Sequence, residues 1–185
     1  MAVAAMKAGK YAGVEVPAAL TVEQCWELVD TSEKTGVPCM MMENVCYFRN
    51  VLMVLNLVRQ GQLGELLHSE VGYQHYVRGS QFNAQGDLTW RGVYAQSKDG
   101  NQYPTHPIGP AAWWMNINRG DRFTYLNSMS SNSRGPHLFA ESKFGAEHSS
   151  AKRTFAQGDV NTTLIKTEKG LTVTLYYNTQ SPRPY

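Results

Sequence analysis

Long apolar runs are missing from these 185 residues. The longest candidate, Val51 to Val58, is interrupted by Asn56 and flanked by Arg49 and Arg59, so no membrane insertion is expected. Basic runs with interleaved aromatics are missing too. The formal net charge is only +2 and the Lys and Arg residues are dispersed, which gives no electrostatic case for nucleic acid. Cysteine is scarce: Cys25, Cys39 and Cys46 are an odd number without metal-ligand spacing. Each falls in an apolar helix or strand pattern, which predicts buried free thiols over a disulfide or a zinc site. Met1 to Lys7 lacks the apolar region and cleavage pattern of a secretory leader. A hydrophobic content of 42% is enough for a real core, and a charged content of 17% is too low for a disordered chain. The glycosylation match at Asn161-Thr162-Thr163 lies in an expected strand and carries little weight.

What is present is a change of pattern along the chain. Ala2 to Lys10 reads as a helix end closed by Gly9, and Ala12 to Val16 as a short strand stopped by Pro17. Thr21-Val22-Glu23-Gln24 is a capping box opening a helix whose Val22, Cys25, Trp26 and Val29 share a face, with Gly36 as its stop. Val37 to Met42 is a second apolar strand, and a helix is expected from Val45 to Gln60. This alternation predicts a βαβ unit with a parallel sheet. After Gly61, longer alternating strands are expected at Glu65 to His75, Asp121 to Met129, Val160 to Thr167 and Leu171 to Asn178. Glu168-Lys169-Gly170 would close a hairpin between the last two. A helix is expected from Pro110 to Asn118, and a long Gly/Ser-rich loop from Ser130 to Gly145.

The fold class is therefore α/β followed by α+β. Residues 1–45 read as the C-terminal remnant of a Rossmann-type dinucleotide-binding domain, and residues 46–185 as a mostly antiparallel, open-sheet substrate domain. A doubly wound domain opens with a strand and a G-x-G-x-x-G phosphate turn, and no such turn is here. Two parallel strands are also too few for a sheet covered on both faces. The chain is expected to be truncated at both ends.

Tyr103-Pro104-Thr105-His106 is the most telling stretch. It holds a phenol and an imidazole within one turn, and Pro104 pushes Tyr103 out of the helical region. Pro107, Gly109 and Pro110 are expected to keep the backbone irregular until a helix starts at Ala111. An imidazole changes charge near neutral pH and a phenol can relay or orient a proton, so such a pair suits proton transfer. Taken alone, a surface loop with incidental Tyr and His is the better reading.

Further motifs change that balance. Ala5-Met6-Lys7-Ala8-Gly9-Lys10 followed by Glu15-Val16-Pro17 resembles the helix and strand of the glucose–fructose oxidoreductase and inositol dehydrogenase superfamily. Many dehydrogenases of that superfamily carry a lysine where this chain has Val16, and the departure resembles family 109 of the glycoside hydrolases, NAD-dependent α-N-acetylgalactosaminidases. The first half adds Met41-Met42-Glu43-Asn44-Val45-Cys46-Tyr47, Gly72-Tyr73-Gln74-His75 and Trp90-Arg91-Gly92 to the match. The second adds Tyr103-Pro104-Thr105-His106, Asn116-Ile117-Asn118-Arg119-Gly120-Asp121, Met129-Ser130-Ser131 and Ser181-Pro182-Arg183-Pro184-Tyr185.

The resemblance implies a glycosidase that does without the usual pair of carboxylates. Its cofactor is NAD and its partners are α-N-acetylgalactosaminide glycans. Hydride leaves sugar C3, a base removes the acidified C2 proton, the C1 substituent is eliminated, water adds at C1 and the hydride returns. By the same resemblance, Glu15 and Val16 lie at the cofactor edge, Asn44 contacts NAD, and Trp90 belongs to a cofactor-adjacent segment. Tyr73, Arg91, Tyr103, Pro104, Thr105, His106 and Tyr185 match the substrate pocket, with Tyr103 also near NAD and Glu43 within reach of cofactor or sugar. His106 is assigned to the C3 hydroxyl proton and Tyr73 to the C2 proton. Tyr76 and Pro107 depart from the pattern, at an acidic and a glycine position respectively.

Plainer readings stand beside these. Glu43-Asn44 would also serve as a helix cap, with Asn44 the capping residue. Tyr73 and His75 alternate along a strand and share a face, as a half-buried sheet pair would. Arg91 would also suit a surface ion pair; core packing fits at least one of Trp113 and Trp114, while His68, His137 and His148 have no supporting context. Rival functions are an NAD-dependent sugar dehydrogenase of the same superfamily, against which Val16 argues, and a non-catalytic sugar-binding fragment. The open sheet would also offer a surface for a homo-oligomer, and the sequence leaves the compartment open.

Overall fold

The structure, a computed structural model, describes residues 1–183; Pro184 and Tyr185 lie outside the described residues, and with them the pocket assignment of Tyr185. The chain divides into two compact units, Met1–Val54 and Leu55–Tyr185. The division falls inside a helix, where the sequence reading placed a boundary between residues 45 and 46.

The first unit holds α1 (Ala2–Lys7), β1 (Ala12–Val14), α2 (Val22–Thr35) and β2 (Cys39–Met41). Strands β1 and β2 pair in parallel, Ala12 opposite Cys39 and Val14 opposite Met41, with α2 as the crossover between them. Thr21 caps α2 by accepting a hydrogen bond from the Gln24 N–H at 3.2 Å. The return bond runs one residue early: the Leu20 N–H donates to Gln24 Oε1 at 2.8 Å. Gly36 ends the helix at φ 67°, a left-handed conformation that a side chain would strain.

The apolar stripe of α2 is not core. Val22, Trp26 and Val29 are exposed, as is Cys25, because α2 meets α1 and β2 from the side of its buried Thr31. The expectation of three buried thiols therefore holds only for Cys46, although all three are free. The expected helix from Val45 is also split. A 3-10 turn covers Asn44–Tyr47, Phe48 is extended, and α3 runs from Arg49 to Arg59.

The second unit is built on one sheet. It contains β3 (His68–Gln74), α4 (Trp90–Ser97), α5 (Thr105–Trp114), β4 (Phe123–Ser130), α6 (Gly135–Phe144), β5 (Asn161–Thr167) and β6 (Thr172–Asn178). The strand order is β3-β6-β5-β4. The pairs β4–β5 and β5–β6 are antiparallel, the second closed by the expected turn with Gly170 at φ 93°, whereas β3 joins β6 in parallel. Asn161 is buried and donates to Ser128 and Ser130 hydroxyls and the Met129 carbonyl, so the glycosylation match is a packed strand residue.

One face of the sheet carries Ile165, Val173 and Leu175, which form a core with Met115, joined by Val71 and by Ile108 of α5. The opposite face leaves Tyr125, Met129 and Leu164 exposed. A second core gathers Phe82, Ala140 and Ala151 with Phe139, Phe144 and Phe155.

Two helices depart from the sequence reading. The backbone does not stay irregular to Ala111; α5 starts at Thr105, with Pro107 in its first turn and Pro110 inside it. A first-turn residue has no intrahelical use for an N–H, so Pro107 costs little there. The stretch from Ser130 to Gly145 is not a loop either. The Asp159 carboxylate accepts from the Arg134 N–H at 3.0 Å and the Gly135 N–H at 2.9 Å, capping α6 from a distant part of the chain.

Candidate functional site

In the first unit the two parallel strands end level, with Val14 opposite Met41, and the Met42 N–H donates to the Val14 carbonyl at 2.8 Å. Glu15 and Val16 leave this carboxyl edge from one strand, Glu43 and Asn44 from the other. Glu15 and Asn44 are exposed, Val16 is half-buried and Glu43 is buried. Glu43, not Asn44, is the cap: its Oε1 accepts from the Val45 N–H at 3.1 Å. A carboxylate one residue earlier reaches the free N–H of the tight 3-10 turn, leaving the Asn44 side chain in solvent. Burial pushes the neighbouring Cys46 thiol up to about 11, and the Glu43 charge adds to the effect.

The second unit assembles the aromatic and cationic residues. Alternation along β3 puts Tyr73 and His75 on one face, as expected, and their rings meet edge to face at 4.4 Å between centroids. Tyr73 lies 4.9 Å from Tyr103 and 5.8 Å from His106, and Tyr103 lies 5.0 Å from His106. Tyr103 and His106 come from the start of α5, and the Tyr103 N–H donates to Asn101 Oδ1 at 3.0 Å. Pro104 is the residue before the helix and its carbonyl accepts from the Ile108 N–H at 3.0 Å. Thr105 opens the helix with a buried Oγ1 that has no hydrogen-bond partner.

Helix α4 supplies the cation. Thr89 caps it, so Trp90 and Arg91 sit in its first turn. The Arg91 guanidinium lies 4.3 Å from the Trp90 ring centroid and 5.5 Å from that of Tyr103. Such contacts contribute ~0.5–1 kcal/mol each where water has access. Trp90 itself is 58% exposed. The structure thus places Tyr73, Arg91, Trp90, Tyr103 and His106 in one cluster, and Glu15, Val16, Glu43 and Asn44 together at one sheet edge.

Three neighbours escaped the sequence reading or were left undecided by it. Tyr177 stacks on Tyr73 at 6.0 Å because parallel pairing sets the two opposite each other. His75 is part of the cluster. Its imidazole is held below the usual histidine range, first by burial and then by the charges of His106 and Arg183. Arg183 donates to Gln74 Oε1 at the end of the sheet. The one sequence signal for it is the Ser181-Pro182-Arg183-Pro184-Tyr185 motif, from which the resemblance assigns only Tyr185.

Gly92 fixes where α4 can sit. A Cβ there would lie 2.3 Å from the Gln81 carbonyl oxygen, a backbone atom that cannot swing away. Helix propensity favours alanine by about 1 kcal/mol, but overpacking of this kind costs ~1–3 kcal/mol. A contact this short belongs at the upper end of that range. Gly92→Ala is therefore expected to destabilise the second unit and displace Arg91. Urea unfolding read from signals of that unit checks it, and unchanged or raised stability would refute it.

Comparison with known proteins fits this geometry. Residues 47–185 match the model of the glycosyl hydrolase 109 C-terminal domain. The chain is 52% identical over its whole length to a glycosyl hydrolase family 109 protein of Shewanella sp. (strain W3-18-1), and 51% identical to one of Shewanella pealeana. It spans 40% and 41% of the length of these two curated relatives. Among solved structures, an NAD binding oxidoreductase from Klebsiella pneumoniae superposes with a TM-score of 0.73 at 18% identity, covering 99% of this chain and 45% of that one. An inositol dehydrogenase homolog complexed with NAD+ from Azotobacter vinelandii gives 0.69 at 15% identity, covering 97% and 42%. At such identities the likeness establishes the fold, that of the Rossmann-type oxidoreductases. The chain belongs to glycosyl hydrolase family 109.

Proposed function

We propose that this chain provides the sugar-handling part of a glycosidase that cleaves α-linked N-acetylgalactosamine by oxidation, elimination, addition and reduction, with NAD as its cofactor. The observation that carries the reading is the cluster of Tyr73, Tyr103, His106 and Arg91, drawn from β3, α4 and the start of α5. A two-carboxylate hydrolysis needs a pair of acids flanking the bond. This cluster offers a phenol, an imidazole and a guanidinium instead.

The residues at hand fit the cofactor at one end. Exposed Glu15 and Asn44 stand at the carboxyl edge of two parallel strands, where such sheets take their ligands. NAD, when bound, supplies the hydride acceptor and donor for sugar C3. Glu15, Val16 and Asn44 would hold it in the first unit. His106 takes the proton of the C3 hydroxyl. Tyr73 takes the C2 proton, made acidic by a carbonyl at C3. Arg91 holds a sugar oxygen or the acetamido carbonyl by charge-assisted hydrogen bonds, and Pro104 and Thr105 shape the pocket wall beside His106. Glu43 stays a capping carboxylate at the cofactor edge, and Tyr185 completes the substrate set. The exposed outer face of the sheet, with Tyr125, Met129 and Leu164, supports self-association through that surface.

A sugar dehydrogenase is the second reading. It is favoured by solved neighbours such as the inositol dehydrogenase homolog complexed with NADH and myo-inositol from Azotobacter vinelandii. One experiment separates the two. These residues are grafted into the matching part of the Shewanella sp. relative, and the chimaera is run on an α-N-acetylgalactosaminide in deuterated water. Deuterium at C2 of the released sugar, without net NADH, is the expected result. NADH rising in step with substrate would mean a dehydrogenase, and product without C2 exchange would mean a hydrolase of another mechanism.

A further inference from the structure

The cluster in the second unit carries an excess of positive charge. Arg91 is held over the rings of Trp90 and Tyr103, and Arg183 reaches the end of the sheet beside His75. The described carboxylates of this unit are engaged elsewhere. Asp99, Asp121 and Asp159 accept from backbone N–H groups, and Asp87 from the Asn83 side chain. Glu141, Glu147 and Glu168 pair with His137, Lys152 and Arg122. Glu70 alternates with Val71 and Tyr73, so it stands on the opposite face of β3, and Glu65 precedes the strand.

A neutral sugar offers a cation only the dipoles of its hydroxyls and acetamido carbonyl. Two guanidinium groups half out of water, without a carboxylate partner among the described residues of this unit, call for a negative group on the ligand. We infer that the sugar taken by this site carries an anionic substituent, a sulfate, phosphate or carboxylate, which Arg91 and Arg183 receive. The inference rests on the sugar-binding reading above and names its substrate class. The field is already felt by His75, whose imidazole meets the Tyr73 ring edge to face and is held below its usual range by burial, His106 and Arg183. An anion bound among these groups favours the charged imidazole, so it should move His75 upward.

The test uses the 185-residue chain itself. N-acetylgalactosamine, its 6-sulfate, inorganic sulfate and ADP are titrated at low ionic strength, followed by calorimetry and by the imidazole signals of His75 and His106. The sulfated sugar should bind about tenfold more tightly than the neutral one, the scale of one added charge-assisted pair. Only the sulfated sugar should move the His75 titration upward. Arg91→Gln and Arg183→Gln should each shrink the sulfate advantage with two-dimensional spectra otherwise unchanged, and salt should erode it. Equal affinity for the two sugars would overturn the inference and leave the sugar-binding reading standing. Binding by neither sugar would overturn both. Inorganic sulfate as tight as the sulfated sugar would mean an adventitious ion only, and ADP displacing the sugar sulfate would assign these cations to a nucleotide phosphate; either sinks the inference.

Discussion

Replacing His106 by alanine in the chimaera should abolish the first oxidation, whereas Tyr73→Phe should permit it and stall the step after. The proposed cycle needs one group for the C3 hydroxyl proton and another for the C2 proton. His106 and Tyr73 are neighbours, 5.8 Å between ring centroids, yet they sit on different elements, so each can be removed without dragging the other. A positioned acid or base accounts for about 10²–10⁴ in rate. Loss of His106 should therefore erase both turnover and any NADH signal. Loss of the Tyr73 hydroxyl leaves its ring packed against His75, Tyr103 and Tyr177, so the cluster stays intact. Tyr73→Phe is then expected to give a burst of NADH absorbance with slow C2 deuterium exchange. The reverse pattern would mean that the two roles are exchanged.

Phe82→Ala should cost about 3–5 kcal/mol, the range for a large buried aromatic. Its ring is 5% exposed and touches Phe139 and Phe144 at 5.8 Å and Phe155 at 6.1 Å. Favourable aromatic pairs add ~0.5–1.5 kcal/mol beyond area burial. Three of them meet on one ring here. The residue before it, Gln81, gives the backbone oxygen against which Gly92 of α4 is pressed, so the same substitution loosens the seat of Arg91. Leu126→Ala is the control: that side chain is 61% exposed on the edge strand and should shift stability by no more than ~0.5 kcal/mol. Urea midpoints of the second unit measure both. Similar midpoints for the two variants would show that the Phe82 cluster is not a cooperative core.

What could be read beforehand was set by local chemistry. The two-residue period of β3 put Tyr73 and His75 on one face, Thr21 and Gly36 bounded α2, and Gly170 closed the last hairpin. What escaped depends on groups far apart in the chain. The cap of α6 is Asp159, and no inspection of residues near 135 could supply it. The start of α5 at Thr105 lies earlier than its prolines suggest, because Pro107 stands where a helix needs no N–H. The exposed face of α2 shows the same limit from the other side, since a helical stripe records amphipathicity and not what covers it. Within the site, Tyr177 became a neighbour of Tyr73 only through a parallel pairing that no turn announces.

That parallel pairing also sets an order of events. His68 lies opposite Thr172 and Tyr73 opposite Tyr177, so β3 bonds to a strand made about a hundred residues later. The β5–β6 hairpin can form by itself within its own few residues, and β4 can add to it. The strand carrying Tyr73 has to wait, closing a long loop against its entropy before any contact rewards it. During synthesis, then, the strand that carries Tyr73 stays without this neighbour until β6 has emerged, and it should be the last part of the sheet to gain protection when the protein refolds.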